Sequence, residues 1–172
     1  MVFKSKKVEE WDKGLTREEK LWIVIALVFS LMMSVTTAIV WPSINPNHEV
    51  PTTSLTIDPK AFENLALNFS AKYNGKPVPA GQTIYILARQ YYWSISKLVL
   101  YKGIEYEIMV SSFDVLHGFE IVGNGVVINL MVMPGMVYVF HISFNQRGVY
   151  YLICNEYCGY GHSYMRALIE VI

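Results

Sequence analysis

Residues 21–41, Leu-Trp-Ile-Val-Ile-Ala-Leu-Val-Phe-Ser-Leu-Met-Met-Ser-Val-Thr-Thr-Ala-Ile-Val-Trp, form an apolar run without a single charge. At a helical rise of about 1.5 Å per residue the run covers about 30 Å, the thickness of a bilayer's hydrocarbon core. Trp22 and Trp41 stand at its two ends, where amphipathic rings favour the membrane–water interface. Thr16-Arg-Glu-Glu19 ahead of it fits a capping box, and Pro42 follows as a stop. The run is longer than a signal-peptide core, and no small-residue cleavage pattern follows it. The pattern predicts an uncleaved transmembrane helix. From residue 79 the chain changes character. Short runs of β-branched and aromatic residues alternate with turn signals: Thr83–Ala88, Lys97–Leu100, Tyr106–Val110, Val126–Val132, Val137–Ser143, Val149–Ile153 and Ala167–Ile172. Val-Gly-Asn-Gly at 122–125 carries a hairpin signal, and Met-Pro-Gly at 133–135 is another turn. About seven short strands in about ninety residues predict a mainly β domain, an antiparallel β-sandwich or barrel.

The chain therefore divides into an amino-terminal segment (1–20), an anchor (21–41), a linker and lead-in (42–78) and a β domain (79–172). Within the lead-in, Pro59–Phe69 reads as a short helix and His48 as a solvent-facing linker residue. Lys4, Lys6, Lys7, Lys13, Arg17 and Lys20 precede the anchor, and no Lys or Arg recurs until Lys60. By the positive-inside rule the amino terminus is cytoplasmic and the β domain faces outward. Ala26, Ser30, Ser34 and Ala38 repeat at every fourth position, a small-residue row that lets another membrane helix approach.

Charge narrows the function classes. The 172 residues carry 14 basic and 14 acidic side chains, and the region after the anchor is close to balanced. This excludes an electrostatic nucleic-acid surface. No paired carboxylates, activated serine or phosphate-cradling glycine loop stands out.

The chemistry is concentrated in Cys154-Asn-Glu-Tyr-Cys158-Gly-Tyr-Gly-His162-Ser-Tyr-Met165. The two cysteines are the only ones in the chain. As a helix, this segment would set Cys154 and His162 about 12 Å apart along the axis, too far for one small metal site. Gly159 and Gly161 also favour a folded loop. Thiolates, an imidazole and a thioether form a ligand set suited to copper, and His117 upstream supplies a further strong ligand. A Cys154–Cys158 disulfide and a structural zinc site of Cys154, Cys158, His162 and His117 are the competing readings. Zinc has no use for Met165. His141, inside a strand run, reads as structural.

These residues resemble those of subunit II of a haem–copper cytochrome c oxidase. Cys154, Glu156, Cys158, Gly159, His162 and Met165 match the copper-A motif Cys-x-Glu-x-Cys-Gly-x-x-His-x-x-Met without a gap, and Asp114-Val115-Leu116-His117 matches its upstream histidine context. The resemblance spans the anchor and the outer domain, and has the single-anchor form of some bacterial and archaeal oxidases. It implies a cupredoxin-like antiparallel β-sandwich preceded by one transmembrane α-helix. It also implies two copper ions bridged by Cys154 and Cys158, with His117 and His162 as terminal ligands. The Met165 sulfur and the Glu156 carbonyl would be weak axial ligands. A magnesium ion at the Glu156 side chain is a secondary expectation.

The implied role is to accept electrons from cytochrome c and pass them to haem in catalytic subunit I, in respiration coupled to proton translocation. The place would be a prokaryotic plasma membrane, with lipid around the anchor. Gln90-Tyr91-Tyr92-Trp93 lies where the family has an aromatic cluster for electron acceptance, which nominates Tyr91 and Trp93. Near-neutral charge predicts that the donor docks through an apolar patch with little steering. Nitrous oxide reductase shares only the copper domain and needs a histidine-rich catalytic module, whereas this chain has four histidines. A copper carrier would need an exchangeable site, and quinol-oxidase subunits usually lack these ligands.

Overall fold

The computed structural model describes residues 14–40, 43 and 53–172. Trp41 and Pro42 at the end of the apolar run, His48 in the linker, and Lys4, Lys6, Lys7 and Lys13 lie outside the described residues. The chain separates into two units, Met1–Pro46 and Asn47–Ile172.

In the first unit, helix α1 spans Arg17–Val35 and continues as a π-helical turn through Thr36–Val40. Its start is the expected capping box: the Glu19 N–H donates to Thr16 Oγ1 at 3.2 Å, and the Thr16 N–H donates to Glu19 Oε2 at 2.7 Å. Together these residues make one helix long and apolar enough to cross a membrane. Three of its hydroxyls are satisfied internally. Ser34, Thr36 and Thr37 hydroxyls donate to the carbonyls of Ser30, Met32 and Met33 at 2.8, 2.8 and 3.0 Å, which an apolar surrounding requires.

The second unit is a sandwich of two five-stranded sheets. The first sheet holds β1 (Thr53–Thr56), β2 (Ile84–Arg89), β3 (Tyr92–Trp93), β5 (Glu105–Ser112) and β8 (Met136–Ser143), in the order β1-β8-β5-β2-β3. The second holds β4 (Lys97–Leu100), β6 (His117–Gly123), β7 (Val126–Val132), β9 (Gly148–Ile153) and β10 (Arg166–Val171), in the order β4-β10-β9-β6-β7. This is the mainly β, cupredoxin-like architecture expected. Each sheet does hold one parallel pair, β2 with β5 and β4 with β10. The chain leaves the first sheet after β3, forms β4 in the second and returns as β5, a crossover long enough to restore the strand direction.

Two features lie where the sequence pattern placed loop or linker. Residues 53–78 do not simply lead in. Strand β1 pairs with β8, and the helix expected over Pro59–Phe69 is present as α2 (Pro59–Tyr73), capped by the Asp58 side chain, where it packs Phe62 and Ala66 against Leu87, Val137 and Val139. Arg89 anchors it further, with a 2.7 Å ion pair to Glu63. His117, outside every predicted strand run, is the first residue of β6. Gly118 and Gly123 stand at its second and last positions and interrupt its alternation.

Alternation fills the space between the sheets. Ile84, Ile86 and Ala88 of β2 face Phe119 and Ile121 of β6, Ile128 of β7 and Leu152 of β9 within one buried cluster. An aromatic chain crosses it: Trp93 meets Phe119 at 5.5 Å, and Phe119 meets Phe140 at 5.7 Å, both edge to face. Cys154, Cys158 and Met165 belong to the same cluster, so the ligand loop is an extension of the core. Phe119 is fully buried at its centre. Phe119→Ala is expected to cost about 3–5 kcal/mol, read from urea unfolding of the metal-free protein. A cost under about 1 kcal/mol would show that the aromatic chain does not hold the sheets together.

Candidate metal centre

Strand pairing brings the ligands together. In the β6–β9 ladder Glu120 faces Ile153 and Val122 faces Tyr151. Extending this register by one residue sets Cys154 beside Phe119 on the inner face, with His117 diagonal to it, within reach of a long side chain. The Asn155 N–H donates to the Gly118 carbonyl at 3.3 Å, and the Cys154 N–H to the Met165 carbonyl at 3.1 Å. The second bond closes the loop between β9 and β10. Inside it, N–H groups of His162 and Met165 donate to the carbonyls of Gly159 and His162 at 3.1 Å each. The segment is thus a folded loop with one short 3₁₀ turn at His162–Tyr164, not a helix.

Four side chains form a chain of contacts. His117 Nδ1 lies 3.8 Å from Cys154 Sγ, Cys154 Sγ lies 3.8 Å from Cys158 Sγ, and Cys158 Sγ lies 3.8 Å from His162 Nδ1. Both cysteines are free thiols, so the disulfide reading is not what the fold contains. A metal bonds imidazole nitrogen at about 2.0 Å and thiolate at about 2.3 Å. Each 3.8 Å step is shorter than the sum of two such bonds, so a metal ion fits between every adjacent pair. The ligand atoms of His117, Cys154 and Cys158 all lie within 4.8 Å of one another. The Glu156 carbonyl is 3.3 Å from Cys154 Sγ, and Met165 is buried at 2% exposure. His141 stays outside the cluster, 4.0 Å from Glu107 on the surface.

The surroundings orient these ligands. Asp114 Oδ1 accepts from His117 Nε2 at 2.9 Å, which leaves Nδ1 facing the thiol. The same carboxylate accepts N–H groups of Val115 and Gln90 at 2.8 Å each. Burial opposes ionisation of Asp114, yet the Gln90, His117 and Val115 donors outweigh it and hold the carboxyl below its usual range. Burial would likewise lower the His117 pKa, but the Cys154 and Asp114 partners raise it. The Gln90 side-chain amide donates to the Cys158 carbonyl. Gly118 allows close contact with Asn155, where a Cβ would collide with its backbone and side chain. Gly159 (φ +128°) and Gly161 let the loop rest on Tyr91, whose ring a Cβ at either position would strike. Gln90, Gly118 and Asn155 carry no ligand chemistry, so the motif did not reveal them. Asp114, three residues before His117, was visible only as context.

Of the two residues nominated for electron acceptance, Tyr91 is 37% exposed and supports the ligand loop. Trp93 offers no docking face: it is 4% exposed, with its ring held against Phe119. The most exposed aromatics among the described residues are Tyr157, Tyr160 and Tyr164, on the candidate ligand loop itself.

The two thiols differ. Burial opposes ionisation of Cys154, but His117, the Gly118 N–H and His162 outweigh it and hold the thiol at about 6. Burial and then the negative charge of Cys154 push Cys158 up to about 11. One thiolate is therefore present at neutral pH, and the second forms when a metal replaces its proton. In the metal-free protein the thiolate ultraviolet absorbance is expected to rise by one cysteine's worth as pH increases through about 6. Both thiols titrating together near the ordinary value of 9.0 would contradict this.

A family model described as cytochrome c oxidase subunit II, periplasmic domain, matches residues 94–172. A cytochrome c oxidase subunit 2 of Thermus thermophilus is 37% identical over 93 residues, covering 54% of this chain and 67% of the relative. Its counterpart from another strain of that species is 37% identical over the same length and is covered over 54% of its own. Among solved structures, a chain from a heme-copper terminal oxidase dimer superposes with a TM-score of 0.64 at 24% identity, covering 91% of this chain and 100% of that one. This last likeness shows a shared fold.

Proposed function

Because the chain belongs to the cytochrome c oxidase subunit II family, we propose that it is the electron-accepting subunit of a haem–copper terminal oxidase, receiving electrons from cytochrome c at a binuclear copper-A centre and delivering them to haem in catalytic subunit I. The observation that carries this reading is the unbroken nitrogen–sulfur–sulfur–nitrogen sequence of contacts across His117, Cys154, Cys158 and His162. Two adjacent thiols flanked by one imidazole each suit a pair of metals sharing both sulfurs better than a single tetrahedral ion. The buried Met165 sulfur and the Glu156 carbonyl supply the weak axial donors that copper tolerates and zinc does not use.

Bound there, two coppers would supply a site that gains and loses one electron with little change in bonding. The protein's own part is to keep the ligands still. Asp114 holds the His117 tautomer, Gln90 and Tyr91 brace the loop, and the sandwich core surrounds the sulfurs. An ordered shell of this kind limits reorganisation on reduction. The exposed Glu156 side chain would serve a magnesium ion at an interface with the catalytic subunit. The apolar helix would anchor the domain with the amino terminus in the cytoplasm and the copper centre outside, in a respiratory membrane that stores the energy as a proton gradient.

Electron paramagnetic resonance of the purified chain loaded with copper tests the assignment. A mixed-valence signal with one unpaired electron shared over two coppers is expected, and Cys158→Ser should abolish it. A mononuclear spectrum, or stoichiometric zinc binding with no copper signal, would defeat it.

A further inference from the structure

Tyr157, Tyr160 and Tyr164 stand 75%, 95% and 78% exposed on the loop that holds the candidate ligands. Residues 155–164 contain no Lys, Arg or Asp, and Glu156 is their one acidic side chain. The three rings differ in what lies beneath them. Tyr157 packs edge to face on the His162 imidazole, with ring centroids 5.9 Å apart at 60°. A large, mostly exposed ring in contact with a ligand ring gives a direct route from the surface to the site. Trp93, by contrast, is enclosed between the sheets.

Resting on the electron-accepting role argued above, we propose that electrons arrive through the Tyr157–His162 contact, and that the tyrosine loop is the docking platform for a small redox protein with an uncharged, apolar ring around its cofactor edge. One electron leaves the donor and one reaches the centre that His162 ligates. Tyr157 is neither oxidised nor reduced, and no proton moves. Tunnelling decays exponentially with distance, so a donor pressed onto Tyr157 is brought as near to His162 as this surface allows. Tyrosine suits such a platform because it buries a large area with little loss of rotamer freedom, and its hydroxyl accepts a wet rim. With almost no charge on the loop, complementarity favours an uncharged partner over a lysine-ringed one, and attraction at long range is weak.

The full copper-loaded chain in detergent is mixed with two reduced cytochromes c, one with an uncharged haem edge and one ringed by lysines. Hexaammineruthenium(II) serves as a small reference reductant. The uncharged cytochrome is expected to react faster, with a rate that changes less than about twofold between low and high salt. Tyr157→Ala should lower the ratio of its rate to the reference rate by about tenfold, the scale of an interface hot spot. Tyr157→Phe should retain the ratio, and so should Tyr151→Ala, which removes an exposed tyrosine on the outer face of β9. Independently of copper, Tyr157→Ala should weaken binding of the oxidised uncharged cytochrome to the metal-free chain by a similar factor, measured by calorimetry. An unchanged ratio and unchanged binding in Tyr157→Ala would overturn the proposal. So would a preference for the lysine-ringed donor with a steep salt dependence. If wild-type chain forms no copper centre that hexaammineruthenium(II) can reduce, the electron-accepting role itself fails, and this proposal falls with it.

Discussion

The register of β6 against β9 is the constraint on which the candidate metal centre depends. Glu120 opposite Ile153 places His117 and Cys154 diagonally on the inner face, where the imidazole meets the thiol at 3.8 Å. A slip of one residue would turn every side chain of β6 to the other face. His117 would then leave the site, and Phe119 and Ile121 would leave the core. The buried aromatic contacts of Phe119 with Trp93 and Phe140 therefore secure the position of His117 as well as the sandwich. Gly118 adds a second lock, since only a residue without a Cβ lets Asn155 lie against β6.

Around this seam, polar groups play separate parts in a small volume. Asp114 takes three N–H donors and uses one of them to fix the His117 tautomer. The thiols sit so close that ionising one hinders the other. The metal-free protein avoids that repulsion by keeping Cys158 protonated, and a bound metal would replace this proton.

Much of this was legible in the chain. The charge-free run with its capping box gave α1, and the spacing of Cys154, Cys158, His162 and Met165 required a folded loop. What escaped did so for physical reasons. Strand β6 carries glycine at its second and last positions, which interrupts its period, and β1 is a four-residue edge strand within a proline-rich stretch. The parallel pairs depend on a crossover between sheets that no local pattern records. The burial of Trp93 was not legible because aromatic identity alone does not separate a core ring from a surface one. Asp114, Gln90 and Tyr91 act through contacts across 24 to 70 positions of chain, such as Gln90 with Asp114 and Tyr91 with Gly161.

On this account the fold assembles the ligands before any metal arrives. Crystal structures of the chain without metal and with copper, solved under reducing conditions, test this most directly. The Cys154–Cys158 sulfur separation is expected to stay near 3.8 Å and the His117–Asp114 hydrogen bond to persist in both. A metal-free structure with a closed disulfide, a displaced His117 or an unfolded 154–165 loop would contradict it.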